Sequence, residues 1–584
     1  MFYSCITNTL NMKKTVITLL LLFTSFLEIK AQHTSEASGK AYEYLQGERA
    51  KADKVLGDWA KPPLDSLKKA EKILQDALTY YHSQDVKALA KTDKYLFGRE
   101  SDINFDMAVI KIKKGEQNGA IALLKKNLSG SSGSAYAKWM KNDTIFESVV
   151  NAPELLPFFK KIEASNRVFN GTALNTPYKY NISDAEKLAG LSKFWSEAKY
   201  NFAYFENLPD LDWDKLYLEY IPLIQNTKNT LEYYQVMQKF CAELKDSHTN
   251  VWSTSDSLRS LTNFAPPIRT TLVEGKVLIT SVLSDSLQKS GIKVGMEVVS
   301  IDKIPVKEYA QKLMPYQSSS TEQDLRLRTF TYSLLRGNRE QTVELELKGI
   351  DGKISTRKLP RKGYGVLKKT ESVEFKILPN NVAYLAINEF ETSKSREKFM
   401  SIFDSLSNTT ALILDIRRNG GGSTDVSILK CLTDKPIKQG QHFVRKYVPT
   451  YRAWGSEEGI VWQQEPVSDW SPNGKKLYTK PVVLLISSQT FSAAEDFAVI
   501  FDSMKRGKMI GEVTGGSTGQ PLPFSLPGGL MGRVCTKRDL YPDGKVFVGV
   551  GIKPDIEIKP TIVDIQKGRD TVLEGALEYL KQQK

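Results

Sequence analysis

VVLLISSQTFSAAEDFAVIFDSM, residues Val482–Met504, decides the fold class. Its first six residues, Val482–Ser487, open with five apolar residues in an unbroken run, Val482–Ile486, which reads as a strand buried on both faces. The four residues SQTF follow, and then Ala493, Phe497, Ile500, Phe501 and Met504 mark one apolar face of a helix predicted over Ser492–Met504. Two earlier stretches repeat the plan. VAYLAINEF (Val382–Phe390) precedes a predicted helix around Ser395–Leu406, and ALILDI (Ala411–Ile416) runs through RRNGGG (Arg417–Gly422) into a predicted helix from Thr424. Repeated strand–loop–helix units over residues 372–560 predict an α/β domain, whose chemistry belongs in the loops at strand C-termini.

The character of the chain changes on either side of this domain. Residues 263–360 read as β-rich, with KVLITSVL (Lys276–Leu283), a short polar helix over Asp285–Ser290, and GIKVGMEVVSIDKIPV (Gly291–Val306). Residues 180–262 read as a helical block. Its last helix sets Tyr233, Val236, Met237, Phe240, Cys241 and Leu244 on one face and should stop near Lys245. Residues 34–168 are helical in pattern, with a stretch over Phe105–Leu128 and a weak likeness to a tetratricopeptide array that lacks a clean repeat. A C-terminal helix is expected in 561–584. Residues 12–31, MKKTVITLLLLFTSFLEIKA, carry a basic start and an apolar run too short for a comfortable span, so residues 1–31 read as a secretory signal peptide. The expected location is the bacterial periplasm or outside the cell, with no stable membrane insertion after cleavage.

Composition narrows the function. The chain has 584 residues and a net charge of +14. The charge is dispersed; its densest stretch, Arg357–Lys369, contains Pro360, Gly363 and Gly365 and reads as a linker, so a nucleic-acid interface is not indicated. Four cysteines in this length exclude a disulfide scaffold. Four histidines, His33, His82, His248 and His442, give no metal-binding cluster, so neither metal nor other cofactor is called for.

Ser492 stands where the predicted strand has ended and the helix begins. The positive end of a helix favours the developing charge of an alkoxide, although a plain N-cap is an equally ordinary use of Ser there. Asn419-Gly420-Gly421-Gly422 follows a strand with bare backbone, able to approach a ligand and offer N–H donors to an oxyanion, or simply to turn. No Lys-Ser/Thr follows the glycines, which argues against a phosphate loop. Gly515–Gly519 matches the G-x-S-x-G nucleophile pattern. Pro521 and Pro523 forbid the helix that pattern requires, so Ser517 is read as a decoy rather than a nucleophile. His248 has the best surroundings for a general base, with His442 as its one rival in the α/β domain.

Taken together, LKDSHTNV (Leu244–Val251), ALILDIRRNGGGSTD (Ala411–Asp425), SSQTFSAAEDFA (Ser487–Ala498), GEVTGGSTG (Gly511–Gly519) and VGVGIKPDIEI (Val548–Ile558) resemble the C-terminal processing, or tail-specific, serine peptidases. Residues 263–360 resemble the PDZ module of secreted proteases. The resemblance implies a multidomain α+β fold: an α/β catalytic core with an inserted PDZ-like β-domain, preceded by all-helical domains. It implies Ser492 as nucleophile, His248 as general base and then acid, and Ala493 with Gly421 or Gly420 as oxyanion hole. The Ser–Lys version of the mechanism needs a Lys 25 residues past the nucleophile, where this chain has Ser517. The tricorn-core-like Ser–His subgroup fits better, with Ser247 helping to orient the network. That subgroup also has a Glu three residues before the Gly of G-I-K-P-D; here the position is Val548, and Glu495 or Asp543 is the expected substitute.

The resulting expectation is a secreted serine endopeptidase acting on exposed or C-terminal segments of polypeptides. Two alternatives stand beside it: a weak or inactive protease-like scaffold binding peptides or small apolar ligands, and a hydrolase of non-peptide esters or amides. The N-terminal helical domain leaves room for a protein partner.

Overall fold

The computed structural model describes residues 35–57, 61–391, 393–456, 459–467 and 469–583; the expected signal peptide lies outside them. The chain divides into two compact units, the second beginning at Thr172. The described part of the first unit is helical. Its longest helices are α1 (Glu36–Leu56), α2 (Leu64–Tyr81), α3 (Arg99–Lys113), α4 (Gln117–Ser129), α5 (Gly133–Asn142) and α6 (Leu156–Asn170). The stretch Phe105–Leu128 is helical in two pieces, because Gly115 takes φ 79° between α3 and α4.

The second unit opens with α7 (Asp184–Asn201), α8 (Trp213–Gln225) and α9 (Thr230–Ala242). Ser183 caps α7 in a reciprocal capping box with Glu186. After α9 the chain turns through Lys245, at φ 43°, into strand β1 (Asn250–Ser253). The next segment is a six-stranded sheet, with β2 (Ile268–Val273), β3 (Lys276–Val282), β4 (Glu297–Ile301), β5 (Thr342–Lys348) and β6 (Ile354–Pro360) in sequential order and Ile304–Pro305 pairing with β4. Between β4 and β5 lie a short helix, Glu322–Leu327, and a π-helical turn, Arg328–Ser333. The basic stretch read as a linker from Arg357 is strand as far as Pro360, each residue standing opposite one of β5.

The α/β part is built on a second six-stranded sheet. It contains β7 (Val373–Leu378), β8 (Val382–Ile387), β9 (Ala411–Asp415), β12 (Val482–Ile486), β13 (Lys508–Gly511) and β17 (Ile556–Glu557), in the spatial order β17-β13-β12-β9-β8-β7. All pair in parallel except the edge strand β7. β9 and β12 are wholly buried, as an apolar run without alternation requires. Leu412 and Leu414 face one core with Phe194, Phe240, Phe497 and Phe501, whereas Ile413 faces a second core with Val572, Ala576 and Leu580 of the C-terminal helix α13 (Thr571–Gln582). Helix α12 spans Ala493–Met504.

Two expected helices differ. The segment around Ser395–Leu406 is split at Ile402 into α10 (Lys394–Ser401) and α11 (Phe403–Ser407). No helix starts at Thr424: the Asp425 side chain accepts the Ser427 N–H in a local turn, and only one tight turn, Leu429–Cys431, follows.

Two smaller sheets complete the unit. β10 (Gln441–Tyr447) lies between β11 (Ile460–Gln464) and β16 (Lys537–Leu540). β15 (Leu530–Cys535) lies between β14 (Pro521–Leu526) and β1, with Asn250 opposite Arg533 and Ser253 opposite Leu530. This last pairing positions the site, because it lays the segment after α9 against the far end of the chain.

Candidate active site

Ser492 occupies the N-cap of α12 with φ 59° and ψ −128°, a conformation strained for a residue with a Cβ. Its amide donates to Ser517 O at 3.0 Å, but its side chain caps nothing, which removes the plain N-cap reading. The hydroxyl lies 2.9 Å from His248 Nε2, across 244 positions of sequence.

The other ring nitrogen, His248 Nδ1, lies 2.7 Å from Ser517 Oγ. The Phe491 ring stacks on the imidazole at 4.7 Å and 5°. His248 is buried, and burial, followed by the positive charges of Arg533, Arg328 and Lys537, lowers its pKa from 6.5 to about 3. The ring is therefore neutral at ordinary pH. In the tautomer that leaves Nε2 able to accept the Ser492 proton, Nδ1–H donates to Ser517 Oγ. The rival His442 sits on β10 opposite Asp539. His82 belongs to the first unit and contacts Glu100; His33 lies outside the described residues.

The expected supporting groups are distributed differently. The Ser247 hydroxyl makes no hydrogen bond to the imidazole among the described residues. It donates to Asp324 Oδ2 at 2.5 Å and accepts the Ser320 N–H at 2.8 Å, fixing the histidine loop to the segment between β4 and β5. Asp543 is exposed and accepts the amide of Lys545 within its own turn. Val548 is packed in the core, so no side chain reaches the ring from there by hydrogen bond.

Glu495, one turn into α12, supports the site indirectly. It accepts Thr514 Oγ1 at 2.5 Å, Gly516 N at 2.8 Å and Ser517 N at 2.8 Å, and so holds the loop that carries Ser517. Burial raises its pKa from 4.5 to about 8, against the opposing pull of those donors. Sequence reasoning missed the placement of Ser517, reading it as a decoy. The available signal was its position, the one where the Ser–Lys pattern would put its base.

The glycine loop lies against the nucleophile. A Cβ on Gly421 would fall 2.6 Å from Ser492 Cβ and 2.8 Å from Phe491 O, and its φ is 99°. The Gly421 N–H, however, is spent on Asn419 Oδ1 at 2.9 Å, so it is not an oxyanion donor as expected. The Asn419 amide also donates to Ile387 O and so pins the loop to β8. The N–H groups of Gly420 and Ala493 make no hydrogen bond among the described residues, and Ala493 sits at the positive end of α12.

A hydroxyl on a strained helix tip, a buried neutral imidazole against it and backbone donors beside it form the arrangement that nucleophilic serine chemistry requires. Residues 381–558 match the model of Peptidase family S41. It is 25% identical to the carboxy-terminal processing protease CtpA of Bacillus subtilis (strain 168), over 49% of this chain and 53% of that relative. It is 24% identical to the chloroplastic C-terminal processing peptidase of Tetradesmus obliquus, over 52% and 60%. The chain thus spans less than two thirds of the length of either relative. Among solved structures, mature CPAF complexed with lactacystin superposes with a TM-score of 0.54 at 17% identity, over 68% of this chain and 97% of that one, a likeness of fold.

Proposed function

We propose that the chain is an exported serine endopeptidase that cleaves exposed or C-terminal segments of polypeptides. The observation that carries this is the 2.9 Å contact between Ser492 Oγ and His248 Nε2. Ser492 Oγ attacks the scissile carbonyl while Nε2 takes its proton. The carbonyl oxygen, now negative, turns toward the N–H groups of Ala493 and Gly420; one such donor contributes about 3–4 kcal/mol to lowering the barrier. The imidazolium gives its proton to the leaving amine and the C–N bond breaks. Water then enters by the same base and releases the acid product and free Ser492.

The names of the relatives support processing at chain ends. The sheet of β2–β6 supports a PDZ-like capture of such an end, by strand addition and by backbone N–H groups holding the carboxylate. The apolar run of residues 12–31 supports export. An inactive scaffold is not favoured, because a binding scaffold has no use for a strained serine in contact with a neutral imidazole.

Cleavage of denatured casein by wild type, Ser492→Ala and His248→Ala tests the reading. Wild type should cleave with or without chelator, and either variant should lose about 10³-fold or more of kcat/KM. Equal cleavage by wild type and Ser492→Ala, or cleavage lost to chelator, contradicts it.

A further inference from the structure

We propose that Ser517 is the positioning residue of the His248 imidazole, filling with a neutral hydroxyl the place at Nδ1 that an orienting carboxylate takes in a serine triad. The proposal deepens the Ser–His reading above and rests on it. Four observations converge. Ser517 Oγ lies 2.7 Å from Nδ1, and the residue is wholly buried, so water does not compete for that nitrogen from its side. Ser517 O accepts the amide of Ser492, so one residue holds both the base and the backbone of the nucleophile. Glu495 receives the amides of Gly516 and Ser517 and fixes the loop from below. The groups first expected to orient the ring are elsewhere: Ser247 is bound to Asp324, Asp543 is exposed, and Val548 is apolar.

The chemical consequence follows from the charge of the partner. A carboxylate at Nδ1 stabilises the imidazolium and raises the pKa of the ring; a hydroxyl fixes direction without adding charge. The charged groups acting on the ring are all cationic: Arg328 from the π-helical turn, Arg533 from β15 and Lys537 from β16. Glu495 faces the backbone of Ser517, and Asp246 faces Thr249 and Ser320. Among the described residues no carboxylate is hydrogen-bonded to the imidazole, whose two nitrogens meet only the hydroxyls of Ser517 and Ser492.

The test is the rate of Ser492 modification by a fluorophosphonate against pH, in wild type, Ser517→Ala, Ser517→Thr and Ser517→Asp. Loss of the hydroxyl in Ser517→Ala should slow labelling about 10- to 100-fold. Ser517→Thr, which keeps the hydroxyl, should recover most of that rate. Ser517→Asp should move the acid limb of the profile upward by about one pH unit or more, because it places a negative charge against Nδ1–H. A purely structural serine would not shift that limb. Wild-type labelling with an unchanged rate in Ser517→Ala and an unmoved limb in Ser517→Asp overturns the proposal while leaving the peptidase reading intact. No labelling of folded wild type at any pH overturns the peptidase reading, and this one with it. Should the variants fail to fold, the ¹⁵N-histidine spectrum of wild type decides. A His248 ring locked in one neutral tautomer down to about pH 5 supports the proposal, and the tautomer mixture of a solvated imidazole overturns it.

Discussion

At the scale of single residues, the site depends on close approach. Gly421 leaves no room for a methyl group beside Ser492 and sits at a φ that other residues rarely adopt. Gly421→Ala should therefore displace the nucleophile, lower kcat/KM by about 10²-fold or more, and cost about 1–3 kcal/mol of stability in urea denaturation. Ser492 and His248 stood out in sequence through the resemblance of the segments that carry them; position alone left each with an ordinary structural reading as well. Ser517 was not legible in its role. The pattern in its loop points to a nucleophile rather than to a partner of the base, and that partner lies 269 positions away. Ser247 was misread for the same reason: its neighbour in sequence is the base, but its hydroxyl bonds to Asp324, 77 positions on.

At the scale of elements, the short helix Glu322–Leu327 and the turn after it fasten the two halves of the site. Asp324 receives Ser247 on the histidine side and pairs with Arg328 at 2.6 Å. Thr321 donates to Gly515 O, and Gln323 donates to Thr514 O and Val550 O, on the side of the Ser517 loop. Arg328 also lies over the Phe491 ring that stacks on His248. Asp324→Ala would strand a partly buried guanidinium and release Ser247, and should lower stability by about 3 kcal/mol, measurable as a shift in the urea midpoint. An unchanged midpoint would show that this clamp contributes little. The strand–loop–helix units were legible because apolar periodicity is a local property. The helix expected from Thr424 failed because the Asp425 side chain offers the backbone a turn instead, a competition that periodicity does not register.

At the scale of the whole molecule, each unit has its own core: Leu45, Leu74 and Ile103 belong to the first, Phe240, Leu484 and Phe501 to the second. Ser492, His248 and Ser517 all lie in the second, so a chain beginning at Thr172 should keep its reactivity toward a fluorophosphonate. Two buried groups give stability opposite dependences on pH. Glu495, raised to about 8 from 4.5, binds its proton more tightly folded than unfolded; its contribution is complete below 4.5 and is lost as pH rises through about 8. His248, lowered to about 3 from 6.5, contributes above 6.5 and loses that contribution as pH falls toward 3. The melting temperature should accordingly fall between about pH 6.5 and pH 8 and level off above, and the Glu495→Gln variant should lack that loss. The central claim is that the chain folds its first-half imidazole onto one second-half hydroxyl and thereby activates it. The most direct measurement is mass-spectrometric mapping of the fluorophosphonate adduct on the native protein. The account predicts one adduct, on Ser492, absent in His248→Ala; an adduct on Ser517, or none on either serine, would contradict it.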